Sequence, residues 1–333
     1  MNYNNISCLV VGDGIKGMQN QSIALARAIG LKPLLIEVKP FWLTRLFPTL
    51  LAGRFSIPLS NNDKNLFSYK SKILLTCGSR MAGISIGLKR YFDRKKINIF
   101  RIHIQNPKIS SKNFDILVVP EHDNINGNNI ILSKGSLHQI KKENLIDFHK
   151  KIKSKTMKNL KKHIVILLGG NTKNQEVSKV SSILLSSEIK RIQDLFKCEI
   201  VICTSRRTPE FLLRDLKKAK IPKCTFLEPK NQNENIYPGI MFNSKFVLVT
   251  SDSINMISEA IGSGKPVFGF DLFKQRGRKL SFIKNLIAEG RFNYSREIKN
   301  SDIKLLRIEA YENEADRIGK LIKMKLKSNI FDH

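Results

Sequence analysis

Three segments in the second half of the chain carry the residue types that hold phosphate. The first is Gly169-Gly170-Asn171-Thr172, where glycines admit backbone N–H groups close to an anion. The second is Thr204-Ser205-Arg206-Arg207-Thr208-Pro209. Thr208 is suited to cap a helix and Pro209 to open its first turn. Ser205, Arg206 and Arg207 then stand just ahead of helix N-terminal amides that already attract anions. The third is Thr250-Ser251-Asp252-Ser253, running into Ile254 to Glu259 and then Gly262-Ser263-Gly264-Lys265-Pro266. Ile254, Ile257 and Ile261 share one helix face and Glu259 projects from the other, on the side of Asp252 and about 10 Å from it along the axis. A carboxylate there can accept bonds from both ribose hydroxyls while loop amides hold a diphosphate. The nucleotide-binding set expected on these grounds is Gly169, Gly170, Ser205, Arg206, Arg207, Ser251, Ser253 and Glu259. Taken singly, each has a plainer explanation: a chain turn, an ion pair, a solvated glutamate.

The first half offers acid–base groups instead. Asp13 follows the first apolar run and sits beside Gly14, where it could take a proton from an attacking hydroxyl. Glu121, His122 and Asp123 end another apolar run and are its rivals, with His122 and Asp123 retained as catalytic candidates beside Asp13. Lys16, Gln21 and Arg80 are assigned to the acceptor side. No D-x-D pair is present, so neither a metal site nor a cofactor is expected, and Arg206 and Arg207 would carry the diphosphate charge.

These loops need strands to end in front of them. Apolar runs of strand length alternate with helical patterns, the mark of parallel βαβ units. In the first half the strands are read at Ile6 to Gly12, Leu34 to Val38, Lys72 to Cys77, Ile97 to Ile104 and Phe114 to Pro120. A helix is read from Gln21 to Ile29, closed by Gly30, and another follows Gly78-Ser79-Arg80 and runs through about Arg90. A basic helix running into a linker near 154–162 separates the halves. The alternation restarts with strands at His163 to Leu168, Glu199 to Thr204, Cys224 to Leu227, Phe246 to Thr250 and Pro266 to Phe270. Helices run to about Phe196, to about Lys218 and from Ile254 to Ile261, and a last helix spans roughly Asp302 to Leu326. Ligands of open parallel sheets bind beyond the carboxyl ends of strands, and every candidate loop occupies such a position.

The chain has 333 residues, enough for two domains. Hydrophobic residues make up 41% and charged residues 26%, which excludes collagen-like, low-complexity and wholly disordered classes. There is no apolar run long enough to span a bilayer, and the N-terminal segment lacks the basic and apolar regions of a signal peptide, so a cytoplasmic location is expected. The net charge of +30 could serve nucleic acid, an anionic membrane face or anionic substrates. No nucleic-acid-binding signature accompanies it, so no nucleic acid partner is expected. Between Pro40 and Leu59, the apolar residues around Trp42 with Arg45 and Arg54 could form an interfacial helix or an ordinary core helix. In the first case the basic faces would meet anionic lipid and the protein would sit peripherally on the inner membrane face. The five cysteines are odd in number and lack C-x-x-C spacing, which fits buried free thiols and gives no zinc site.

Leu168-Gly169-Gly170 and Ser253…Glu259…Gly264-Lys265-Pro266 resemble, in kind and order, the nucleotide-binding half of GT-B glycosyltransferases, including the lipid-linked N-acetylglucosaminyltransferase of peptidoglycan synthesis. The resemblance implies that Glu259 grips the ribose. A resemblance covering nearly the whole chain is to the family named for the plant "elongated mitochondria" fission protein, whose bacterial members are often labelled nucleoside-diphosphate-sugar epimerases. It rests on Asp13-Gly14…Gly17…Asn20-Gln21, Gln105-Asn106-Pro107, Phe114-Asp115, Val119-Pro120-Glu121-His122-Asp123, Asn128-Asn129-Ile130 and Gly135-Ser136-Leu137-His138. It continues through Leu168-Gly169-Gly170, Thr204 to Pro209, Tyr237-Pro238-Gly239 and Thr250-Ser251-Asp252-Ser253…Met256…Ser258-Glu259-Ala260. Some members carry His in the first loop, where this chain has Met18, so a histidine base is not available there.

The expected architecture is α/β and GT-B-like, with two Rossmann-like domains facing each other across a cleft. Residues 1–155 form the acceptor-side domain and 156–333 the nucleotide-binding domain, with the last helix free to pack back on the first. The expected activity is metal-independent transfer from a nucleotide-diphosphate sugar, in envelope glycan synthesis at the inner membrane face. The alternatives are a nucleoside-diphosphate-sugar epimerase on the same fold and a non-enzymatic adaptor of the mitochondrial-fission type.

Overall fold

The computed structural model describes residues 7–38, 72–160, 162–228, 236–299 and 312–330. The Trp42 segment and the expected start of the last helix at Asp302 lie outside these residues. The chain divides into two compact units, Met1–Gln139 with Glu312–His333, and Ile140–Tyr311.

The first unit is a parallel sheet in the order β2-β1-β3-β4-β5-β6. Its strands are β1 (Ser7–Gly12), β2 (Lys32–Glu37), β3 (Ile73–Cys77), β4 (Phe100–Ile104), β5 (Ile116–Pro120) and β6 (Ile130–Ser133). Helix α1 (Lys16–Ile29) and α2 (Ser79–Arg94) follow β1 and β3. α1 begins before the expected Gln21, from an extended Ile15 that gives no side-chain cap, and closes on a left-handed Gly30. The central strands are apolar on both faces, as a sheet covered on both sides requires. One polar pair interrupts this. Thr76 Oγ1 lies 2.8 Å from His103 Nδ1, and the wholly buried His103 ring stacks on Phe114. Burial pushes the His103 imidazole down to about 3.

The second unit is a parallel sheet in the order β12-β11-β10-β7-β8-β9. The strands are β7 (His163–Leu168), β8 (Glu199–Thr204), β9 (Cys224–Leu227), β10 (Ser244–Thr250), β11 (Val267–Phe270) and the short β12 (Asn293–Tyr294). The helices that precede or link them are α3 (Leu145–Lys150), α4 (Lys155–Lys158), α5 (Lys179–Phe196), α6 (Glu210–Lys218), α7 (Tyr237–Met241), α8 (Ile254–Gly262) and α9 (Gly277–Ala288). The last helix, α10 (Glu314–Ile330), belongs to the first unit.

The units part after Gln139, ahead of the expected 155/156 boundary. The physical reason is local packing. Ile140, Leu145 and Ile152 join the core built on β7 and β10. α3 also lies against α7 at Gly239, where a Cβ would stand 2.7 Å from Phe148 O. α10 inserts Ala315, Ile318, Ile322 and Leu326 into the core over α1. Its first turn is fastened by Glu314, which accepts from the Lys134 amide at 2.9 Å and pairs with Arg317 at 2.9 Å.

The cysteines are free thiols. Burial raises Cys8, Cys203 and Cys224 to about 12.

Candidate functional site

In the second sheet the chain winds outward from β7 to β8 and β9 in one direction, and through β10, β11 and β12 in the other. The loops after β7 and β10 therefore diverge at a topological switch point, where open parallel sheets leave a crevice. Gly169-Gly170 follows β7, and Ser251-Asp252-Ser253 follows β10. The loop after β8 joins them from the side.

The three loops are bonded to one another. The Asp252 side chain is 0% exposed and ion-pairs with Arg207 Nη2 at 2.6 Å. It also accepts from the Gly170 amide at 3.2 Å and from Thr250 Oγ1 at 2.6 Å. Thr250 Oγ1 in turn accepts from the Gly169 amide at 2.7 Å. Thr208 Oγ1 donates to Gly169 O at 2.6 Å and accepts from the Ser205 amide at 2.9 Å. The Asn171 amide donates to Arg207 O at 2.9 Å, and Arg207 Nη1 to Asn171 O at 3.2 Å. The two glycines are needed because the chains touch. A Cβ on Gly169 would stand 2.1 Å from Asp252 Oδ1, and one on Gly170 2.0 Å from Arg207 O.

This network reassigns several roles read from the sequence. Arg207 is held by Asp252 and Asn171 rather than open to an anion. Arg206 is exposed and lines an 840 Å³ cavity with Thr204, Ser205, Arg214 and Lys217. Thr208 clamps the end of β7 instead of capping α6, whose N-cap position is Pro209. Ser251 is buried, and its hydroxyl and amide both turn to Phe270 O on β11. Ser253 caps α8, accepting from the Met256 amide, and sets the N-terminal end of that helix just beyond β10. Asp252 turns into the loop network rather than standing in line with Glu259.

Glu259 stays on the far side of α8 from Ile257 and Ile261, half-buried, and accepts a hydrogen bond from the Tyr237 hydroxyl on α7. Burial raises its carboxyl to about 7, with the Tyr237 bond acting in the opposite direction. Two further groups were not anticipated as site residues. Tyr237 stands in a sequence motif, but its bond to Glu259 depends on the placing of α7. Lys279 on α9 donates to Asp252 O at 3.2 Å. Burial lowers its ammonium, while Asp252 acts to raise it. No strand-to-helix alternation in the sequence had marked α9.

The first sheet has its own switch point, between β1 and β3. Asp13 and Arg80 follow those two strands, with Arg80 Nη1 3.5 Å from Asp13 Oδ2 and the Asp13 side chain 4% exposed. Lys16 instead pairs with Glu37 beside β2, at 3.6 Å on the surface. Gln21 is buried in α1 and bonds back to Gly17 O at 3.4 Å. His122 and Asp123 lie on a single 3-10 turn, Glu121–Asp123, after β5. β5 is three strand positions from β1, about 14 Å at the usual strand spacing. The structure thus brings Asp13 and Arg80 together and keeps His122 and Asp123 apart from them.

A family model described as mitochondrial fission ELM1 matches residues 16–326. The protein RP120 of Rickettsia prowazekii is 26% identical, over 96% of this chain and 98% of its own length. The mitochondrial fission protein ELM1 of Arabidopsis thaliana is 23% identical, over 85% of this chain and 82% of its own. Among solved structures, Staphylococcus aureus MnaA with UDP superposes with a TM-score of 0.59 at 14% identity, covering 98% of each chain. UDP-GlcNAc 2-epimerase from Neisseria meningitidis bound to UDP-GlcNAc superposes with a TM-score of 0.54 at 13% identity, covering 97% of this chain and 100% of that one. The fold is thus α/β and GT-B-like. No described helix is long and apolar enough to cross a membrane.

Proposed function

Because the chain belongs to the mitochondrial fission ELM1 family, and because its second sheet ends in a network of amides, hydroxyls and charges at the switch point, we propose that it is an enzyme acting on a nucleotide-diphosphate sugar. The observation that carries this reading is the joining of Gly169-Gly170, Arg207 and Asp252 beside the N-terminus of α8. The glycine bend, its amides bonded to Thr250 and Asp252, lets the loops close on one another, and the N-terminal end of α8 would attract the diphosphate, with Ser253 at the helix start and Arg206 as the exposed cation. Arg207, fixed by Asp252, sets the shape of the loop. Glu259, steadied by Tyr237, would accept from the ribose hydroxyls.

The reaction is glycosyl transfer without a metal. An acceptor hydroxyl forms a bond to the anomeric carbon, the bond from that carbon to the diphosphate oxygen breaks, and the nucleoside diphosphate leaves with the electron pair. Asp13, oriented by Arg80, takes the acceptor proton. The acceptor is an envelope glycan at an anionic membrane surface. A second reading is epimerisation of the sugar nucleotide, which needs one group to remove a proton and another to return it. The fold shared with the UDP-GlcNAc 2-epimerase of Neisseria meningitidis supports it, whereas the separation of Asp13 from His122 and Asp123 speaks against those residues as its two groups.

Calorimetric titration with UDP, ADP and GDP tests the common premise. Binding by the wild type and its loss in Glu259→Ala support it; no binding, or unchanged binding in the variant, overturns it. Release of free nucleoside diphosphate only with acceptor present marks transfer. Deuterium uptake from solvent into the sugar without acceptor marks epimerisation.

A further inference from the structure

Helix α5 carries an apolar stripe that its own unit leaves uncovered. Val180 and Ile183 are each 64% exposed and Leu184 56%, at the i, i+3, i+4 spacing that places them on one face. The opposite face is ordinary core, with Leu185, Ile189 and Ile192 fully buried. The helix is pinned on both flanks, so the stripe is held outward. On one flank Ser182 donates to Asp215 of α6 at 3.0 Å and Lys179 pairs with the same carboxylate at 3.3 Å. On the other, Ser181 donates to Leu272 O, and Arg191 donates to Ile298 O at 2.7 Å and Ser295 O at 2.9 Å.

Basic side chains outnumber acidic ones around the stripe. Lys179 and Lys190 on α5 and Lys173 ahead of it are exposed. Lys274, also exposed, is brought to the same end by the bond from Gln175 to its carbonyl at 3.2 Å. Asp215 is paired with Lys179 and Glu188 with Arg191, and Glu176 and Asp194 are exposed acids toward the two ends of the stripe, which leaves Lys173, Lys190 and Lys274 as the cations to face a partner.

From this juxtaposition we propose that α5 is a docking surface for an anionic lipid bilayer, into which Val180, Ile183 and Leu184 insert while the lysines meet the headgroups. A shallow apolar stripe with lysines around it suits insertion to about 5–10 Å, and those lysines are drawn to an anionic surface. A second copy of this chain is the wrong partner electrostatically, since it would bring the same lysines and a net charge of +30 against them. The stripe also lacks the aromatic anchors and pocket that dominate protein interfaces. This surface adds a specific attachment point to the membrane setting proposed above and does not depend on the nucleotide chemistry.

The test is co-sedimentation of the full chain with phosphatidylcholine vesicles, with and without phosphatidylglycerol. The wild type is expected to bind only the anionic vesicles, less at high salt. The Val180→Ser, Ile183→Ser, Leu184→Ser triple variant is expected to lose at least about tenfold in partitioning. Its residues are exposed, and unchanged circular dichroism and thermal unfolding show that it is folded. Ile183→Trp is expected to add a fluorescence component that shifts to the blue on anionic vesicles. Equal binding by the triple variant overturns the proposal, leaving membrane attachment to another segment. Equal binding to neutral vesicles, or a wild-type dimer that the triple variant abolishes, overturns it as well. No vesicle binding at all overturns both this surface and the membrane setting, and leaves the nucleotide reading to its own titration.

Discussion

Arg207 and Asp252 come from loops after different strands and meet at 2.6 Å, the acid with no exposed side-chain surface and the base 38% exposed. Because Asp252 also accepts from Gly170 and Thr250, its removal leaves several donors without their acceptor. Asp252→Ala is expected to cost about 3 kcal/mol in chemical denaturation, the lower end for breaking a buried pair, since Arg207 can turn partly to water. Asp252→Asn, which keeps one acceptor oxygen, costs about 1 kcal/mol. A loss below measurement error in Asp252→Ala would show that the network does not hold the loops.

The same contact makes the glycine bend intolerant of a methyl group. In Gly170→Ala the new carbon meets Arg207 O and must break the Asn171 amide bond to that oxygen. A stability loss of about 2 kcal/mol is expected, together with weakened nucleoside diphosphate binding by calorimetry. Wild-type values for both would mean that the loop can move aside freely.

Glu259 gives a pH signature. Its folded-state carboxyl is raised to about 7 from an ordinary value of 4.5. The stability this contributes is fully present below 4.5 and is lost as pH rises through about 7, and Glu259→Gln removes that dependence. Ligand binding runs the opposite way, because ribose hydroxyls need the ionised acceptor. UDP affinity is expected to rise about tenfold between about pH 6 and pH 8. Tyr237→Phe removes a bond that favours ionisation and moves this rise to higher pH. A flat affinity profile in the wild type would contradict the role given to Glu259.

His103 gives a second signature, at lower pH and in the other unit. Its folded value of about 3 lies below the ordinary 6.5, so the unfolded chain binds the extra proton between them. Stability is expected to fall by about 1.4 kcal/mol per pH unit as pH drops below 6.5 toward 3. His103→Phe, which keeps the stack on Phe114, flattens this acid limb. Parallel limbs in both proteins would place the acid sensitivity elsewhere.

Much of the framework was legible from apolar runs of strand length. β7, β8 and β9 match their expected limits, and the three loops beyond the second sheet lie where the strand ends put them. What escaped had weaker periodicity or depended on partners. The start of α1 at Lys16 was hidden because Met18 is the single apolar residue between Lys16 and Asn20 and Ile15 offers no cap. β6 is four residues long, and α9 buries only Phe282, Ile283 and Leu286. At the site, residue types pointed to Arg207 and Ser251 as ligands, but a type cannot disclose that Asp252 and Phe270 O already engage them. The Tyr237–Glu259 bond joins residues 22 apart in sequence through a helix, α7, that the apolar pattern did not reveal.

The return of α10 to the first unit sets an order of events during synthesis. Its Ala315, Ile318, Ile322 and Leu326 complete a core whose other members lie between Cys8 and Leu137. The ribosome delivers those earlier members first, then the whole of the second unit, and only afterwards the helix that seals them. Until then the nascent first unit carries an open greasy seam over α1, so the later-made half can mature before the earlier one.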